Sequence, residues 1–239
     1  MINKTIISLI PKVNGPKTMK DFKPISLCYV LYKIISKCLV NRLKVFLDDF
    51  ISENQSAFVG GRFIHDNIIE GFEGIHLMKH GRLGNGNIIA LKLDMSKAFD
   101  WVEWKFIEAI MIKMGFVEAW ILKIMDCRDS RQRDPLSPFL FLLCSEGLSC
   151  LLKKKMENDN KLHGLGFGRG ALTVSYFLFA DDSFIFMDAN KEDVRVICDV
   201  LKFYGDASGQ LLNFDKSEVC FGKYVPDLIR DEVADFFTG

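Results

Sequence analysis

Two adjacent carboxylates, Asp181 and Asp182, stand between two apolar runs, YFLFA and SFIFM, within residues 176–187. Each run is rich in aromatic and branched residues that suit a half-buried pleated surface, and the break at residues 180–183 is short enough for a hairpin turn. The acidic pair then sits at the hairpin tip. Like charges held side by side where both strands head into a core are costly unless water or a cation neutralises them. An exposed Asp-rich turn is the alternative reading. A third carboxylate brought to the same place would decide between the two.

Residues 87–94, NIIALKLD, supply one: a mostly apolar strand that ends in Asp94. Laid beside the hairpin in one antiparallel sheet, Asp94, Asp181 and Asp182 converge. Such a cluster stays ionised only with cations in it, and hard oxygen ligands select Mg2+ or Mn2+. Two such ions can activate an attacking hydroxyl and stabilise the leaving oxygen of an in-line phosphoryl displacement. Lys12 and Lys23 lie on the two arms of a loop around Asn14, Gly15 and Pro16, so both ammonium groups can face one anion, such as a triphosphate. A strand over residues 211–214 delivers Lys216, which can protonate a leaving pyrophosphate.

The rest of the chain reads as scaffold. Residues 5–10 form a strand ended by Pro11. Apolar positions recur at helical spacing over 29–47, 66–80, 104–125 with an interruption at Gly115, 136–156 and 192–204. Pro135 suits the first turn of the fourth of these helices. His65, His76 and His80 lack a matched fourth ligand and read as ordinary surface or core residues. Glycines 164, 166, 168 and 170 lack the strand-to-helix context of a dinucleotide loop and read as turn residues.

Composition supports a globular chain: 49% of the 239 residues are hydrophobic and 26% charged. The 31 basic residues balance 31 acidic ones, so net charge does not point to nucleic acid. The distribution is uneven, because Lys4, Lys12, Lys17, Lys20 and Lys23 face only Asp21 near the N-terminus. Seven cysteines without a CxxC pair predict reduced thiols in an intracellular, soluble protein without a zinc site. No apolar run approaches membrane-spanning length, so no membrane partner is expected.

The ordered segments DFKPISL, ISENQSAF, ALKLDMSKAFD, RQRDPLSPFLF, FADD and ASGQLLNFDKSEV, over about residues 5–222, resemble the reverse-transcriptase domain of non-LTR, LINE-type retrotransposons, particularly those of plants. The resemblance implies an α+β fold of fingers and palm, with an antiparallel palm sheet backed by helices, and RNA-directed DNA polymerase activity. Its partners would be an RNA template, a DNA primer and deoxynucleoside triphosphates, with two Mg2+ or Mn2+ ions; protein partners stay unknown, and the nucleus is the implied location. Asp94, Asp181 and Asp182 match the family's metal-binding aspartates. Phe99 matches the aromatic gate against a ribose 2′-hydroxyl, and Gln132 the glutamine that touches the incoming nucleotide. Lys12 and Lys23 resemble the fingers residues that hold its triphosphate, with lysine at 23 where arginine is more usual. Lys216 matches the lysine of the late palm motif.

These matches divide the chain into a fingers-like region over 1–86, a palm-like region over 87–222 and the start of a truncated C-terminal segment over 223–239. Two departures stand out. The palm is shortened by an internal deletion near 127–131, and Arg133 replaces the glycine after Gln132. A catalytically dead remnant that at most binds nucleic acid is therefore the alternative, and a nucleotide cyclase on a similar palm is a third reading.

Overall fold

A computed structural model describes residues 5–82, 87–96, 102–127, 134–157, 165–166, 173–174, 176–180 and 182–238. It begins with a two-stranded antiparallel ribbon, β1 (Thr5–Pro11) and β2 (Phe22–Cys28), in which Ile10 faces Lys23. The Asp21 carboxylate closes the turn by accepting the backbone N–H groups of Lys17 and Thr18, both at 2.8 Å. Those bonds, Thr18 first, hold it below the usual carboxylate value.

Two layers follow. Helices α1 (Val30–Leu43), α2 (Leu47–Phe50), α4 (Trp104–Lys113), α5 (Glu118–Met125) and α6 (Ser137–Glu157) share one apolar cluster that includes Leu43, Leu47, Met111, Ile124 and Leu140. The 29–47 helical pattern is realised as α1 plus a tighter turn, Lys44–Phe46, before α2. Gly115, with φ +82°, ends the turn after α4, where an L side chain would be strained.

The second layer is a five-stranded sheet in the order β6 (Tyr176–Phe179), β7 (Asp182–Asp188), β3 (Ile88–Ser96), with β8 (Leu211–Leu212) and β9 (Glu218–Phe221) both on the far side of β3. All its strand pairs are antiparallel. A separate short pair joins β4 (Leu165–Gly166) to β5 (Thr173–Val174). The expected hairpin is present with a tighter break: Ser183 already belongs to β7.

β3 is central and buried on both faces, which explains its run of apolar residues instead of a clean alternation. Ile89, Leu91, Leu93 and Met95 point into a core shared with α6, α7 (Lys191–Ser208) and α8 (Asp227–Thr238). α7 starts on an Asn190 cap that accepts the Asp193 N–H and stops at Gly209, φ +74°. The other face carries Ile88 and Ala90 with Phe177, Phe179, Phe184 and Phe186, covered by α3 (Ile64–Lys79) through Met78. Gly71 of α3 lets that helix lie directly on the Phe184 ring.

Among the described residues no helix is long and apolar enough to cross a membrane. Six of the seven cysteines, 38, 127, 144, 150, 198 and 220, are free thiols.

Candidate active site

Along the α3 face of the sheet the strands change character from one end to the other. On β3 that face reads Ile88, Ala90, Lys92, Asp94, and on β7 it reads Asp188, Phe186, Phe184, Asp182. Asp94 and Asp182 are directly opposed in the register. Opposed residues of an antiparallel pair share a face with Cβ atoms about 5 Å apart. Two carboxylates therefore meet where the apolar face ends.

The hairpin that carries Asp182 has a two-residue loop, because Phe179 pairs with Asp182. Its first loop residue, Ala180, has φ +57°, a conformation that such tight loops require and a non-glycine residue adopts at a cost of about 1–2 kcal/mol. Ala180 also packs against the helical cluster, so the strained residue is buttressed.

The outer edge of β6 is closed by residues 54–56, within the ISENQSAF segment. Leu178 N–H donates to the Asn54 carbonyl at 2.8 Å, and its own carbonyl accepts Ser56 N–H at 3.1 Å. Asn67 Nδ2 donates to the carbonyls of both Asn54 and Leu178. Arg62 donates to the carbonyls of Ile51, Ser52 and Gln55. Beneath them Glu146 of α6 accepts Ser52 N–H at 2.9 Å. Burial pushes the Glu146 carboxyl above its ordinary value, and the Ser52 bond draws it part of the way back. This covering of an otherwise open edge fixes the strand leading to the acidic pair.

On the other side of β3, the turn between β8 and β9 closes on Asp94. Asn213 Nδ2 donates to Asp94 Oδ1 at 2.9 Å, and Lys216 Nζ lies 3.6 Å from Oδ2. Asn213 N–H also donates to the Asp94 carbonyl, while Ser217 Oγ accepts Asp94 N–H at 3.2 Å. The strand expected over 211–214 is only Leu211–Leu212, because Asn213 leaves the ladder to start this turn.

Of the residues singled out in the sequence, Asp94, Asp182 and Lys216 come together. Lys12 and Lys23 lie exposed on the two arms of the ribbon, which packs chiefly on itself. Asp181, Phe99 and Gln132 lie outside the described residues, as do Arg133 and residues 128–131, where the internal deletion is expected. Asn213, Ser217 and Glu146 are not among the residues singled out from the sequence; the first two lie in the LNFDKSE string, where the sequence pattern points to the lysine.

Asp94 and Asp182 present carboxylate oxygens, a donor chemistry that fits a hard divalent ion such as magnesium or manganese. Among the described residues no three acidic, cysteine or histidine side chains form a metal-holding group. Asp134, three residues before α6, is buried, and its Oδ2 accepts Leu136 N–H; burial raises its pKa.

Residues 10–229 match the family described as Reverse transcriptase (RNA-dependent DNA polymerase). The chain is 29% identical over 235 residues to the Transposon TX1 uncharacterized 149 kDa protein of Xenopus laevis, covering 90% of this chain and 17% of that protein. It is 27% identical over 196 residues to the Retrovirus-related Pol polyprotein from type-1 retrotransposable element R2 of Nasonia vitripennis, covering 73% and 18%. The chain thus spans about a sixth of the length of these relatives. Among solved structures it resembles the telomerase of Candida tropicalis described with a fragment of telomeric RNA, at a TM-score of 0.58 and 13% identity over 94% of this chain and 42% of that one. That likeness shows a shared mixed fold of helices and antiparallel sheet.

Proposed function

The chain belongs to the reverse transcriptase (RNA-dependent DNA polymerase) family, with relatives among non-LTR retrotransposons, and from that premise we propose that it is the polymerase domain of a LINE-type element, extending a DNA primer on an RNA template. The observation that carries the reading is the opposition of Asp94 and Asp182 at the polar end of the sheet, with Lys216 beside them. Asp94, Asp182 and, by the family motif, Asp181 would hold two magnesium or manganese ions. When bound, those ions supply activation of the primer hydroxyl and neutralisation of phosphate charge.

The chain's own residues contribute the remainder. Lys216 is exposed, and its ammonium gives a proton to the departing pyrophosphate. Lys12 and Lys23 hold the triphosphate of the incoming nucleotide, Gln132 touches that nucleotide, and Phe99 crowds a 2′-hydroxyl so that deoxynucleotides are preferred. The division into fingers over 1–86 and palm over 87–222 belongs to the same reading, as does a C-terminal segment from 223. So does an origin in a plant element, supported by the motif wording alone, and action in the nucleus.

Arg133 favours a second reading. It places a bulky cation where the family has glycine beside Gln132, and the segment before it is short. On that reading the product binds nucleic acid without extending it. Incubating the chain with a primed RNA template, deoxynucleotides and Mg2+ separates the two: incorporation supports the polymerase. Binding that falls steeply with salt and yields no product supports the inert remnant.

A further inference from the structure

The edge chain beside β3 makes a five-residue excursion. β8 pairs with Met95 and Ser96, and β9 resumes at Lys92, so the two residues 93–94 are faced by residues 213–217. An ordinary β-bulge adds one residue. This turn is closed internally, since the Asn213 carbonyl accepts N–H groups from Lys216 at 3.1 Å and Ser217 at 2.9 Å. Its outward bonds converge on Asp94: the N–H of Asp94 is taken by Ser217 Oγ, its carbonyl by Asn213 N–H and its Oδ1 by Asn213 Nδ2.

We infer that Asn213 is a positioning residue that holds the Asp94 carboxylate in the orientation in which it takes a divalent cation. The inference rests on the metal-binding reading of Asp94 proposed above. A free aspartate carboxylate rotates broadly about its last torsion. One amide donor on Oδ1 fixes that plane. The donor is neutral, so it orients the group without cancelling the charge a cation needs. Lys216 cannot do the same work: its side chain is 67% exposed and 3.6 Å from Oδ2, a long, solvent-screened pair. Asn213 is anchored through both its N–H and its carbonyl, and it is partly buried, so its amide starts from a fixed base. Partners that orient a metal-binding carboxylate typically contribute roughly 10–100-fold to metal affinity or activity.

The test titrates Mn2+ into the 239-residue chain, following free Mn2+ by electron paramagnetic resonance, for the unmodified protein, Asp94→Asn, Asn213→Ala and Asn213→Ser. Thermal unfolding of each is measured in parallel. Serine keeps turn-forming chemistry and the backbone bonds but is too short to span to Oδ1, so it carries the test if alanine loosens the turn. The expected result is loss of the binding step in Asp94→Asn and a roughly 10–100-fold weaker affinity in the Asn213 variants, at temperatures where all remain folded. Asn213 variants that bind as the unmodified chain does, while Asp94→Asn does not, overturn the role of Asn213 and leave the metal reading standing. Mn2+ binding that is absent, or indifferent to Asp94→Asn, removes both.

Discussion

The Lys216 ammonium stands 3.6 Å from Asp94 Oδ2, on the carboxylate oxygen that Asn213 leaves uncovered. The pair is exposed on the lysine side, so it adds little to stability. On the proposed function its value is placement of a proton donor beside Asp94. Lys216→Met is expected to slow single-turnover nucleotide addition about 100-fold or more, with the KM for deoxynucleotide little changed. Urea unfolding should move by no more than about 0.5 kcal/mol. An equal loss of stability and rate would make the lysine a structural residue.

Gly71 is the point where α3 touches the sheet behind the site. A Cβ there would lie 2.3 and 2.6 Å from two carbons of the Phe184 ring. Phe184 is wedged against Phe72 and Phe179 and has no easy retreat. Gly71→Ala is therefore expected to cost about 1–3 kcal/mol in chemical denaturation. Because Phe184 is two residues beyond Asp182 on the same face, nucleotide addition should fall as well. Unchanged stability would mean that α3 can lift from the sheet without penalty.

Arg62 ties three carbonyls of the edge segment together. Arg62→Ala should cost roughly 2–4 kcal/mol, because carbonyls left without their charged donor are partly buried. Lysine should not restore it, since a single ammonium cannot reproduce the planar fork. Thermal and urea unfolding of the two variants measure this, and full recovery with lysine would contradict it.

Glu146 gives stability a pH dependence of defined sign. Its folded pKa is raised, chiefly by burial, above the ordinary value of 4.5. Between those two values the folded chain binds more protons than the unfolded chain, so this residue's contribution is full below 4.5 and is lost as pH rises through the window. Glu146→Gln should flatten that decline in urea midpoints measured from pH 4.5 upward. A variant with the same slope as the unmodified chain would show that Glu146 does not titrate there.

The sheet was legible where side chains repeat. The apolar run ending at Asp94 and the two runs flanking the acidic pair carry enough hydrophobic residues to declare strands, and the register that opposes Asp94 to Asp182 follows from burying Phe184 and Phe186 with Ile88 and Ala90. The turn that grips Asp94 was not legible, because Asn213 and Ser217 look like any turn residues until tertiary pairing brings them across 119 and 123 positions of chain. β9 is four residues long and follows turn chemistry, so it gave too short a pattern to read. Glu146 was hidden for a different reason. It interrupts the apolar face of α6, and its partners there, the Ser52 N–H first, come from tertiary docking.

The most direct measurement is extension of a DNA primer on an RNA template with Mg2+ and deoxynucleotides, comparing the unmodified chain with Asp94→Asn and Asp182→Asn. The expected result is template-dependent product from the unmodified chain and none from either variant, with all three equally folded. Product from Asp182→Asn at the unmodified rate would contradict the assignment of the opposed carboxylates as the reacting centre.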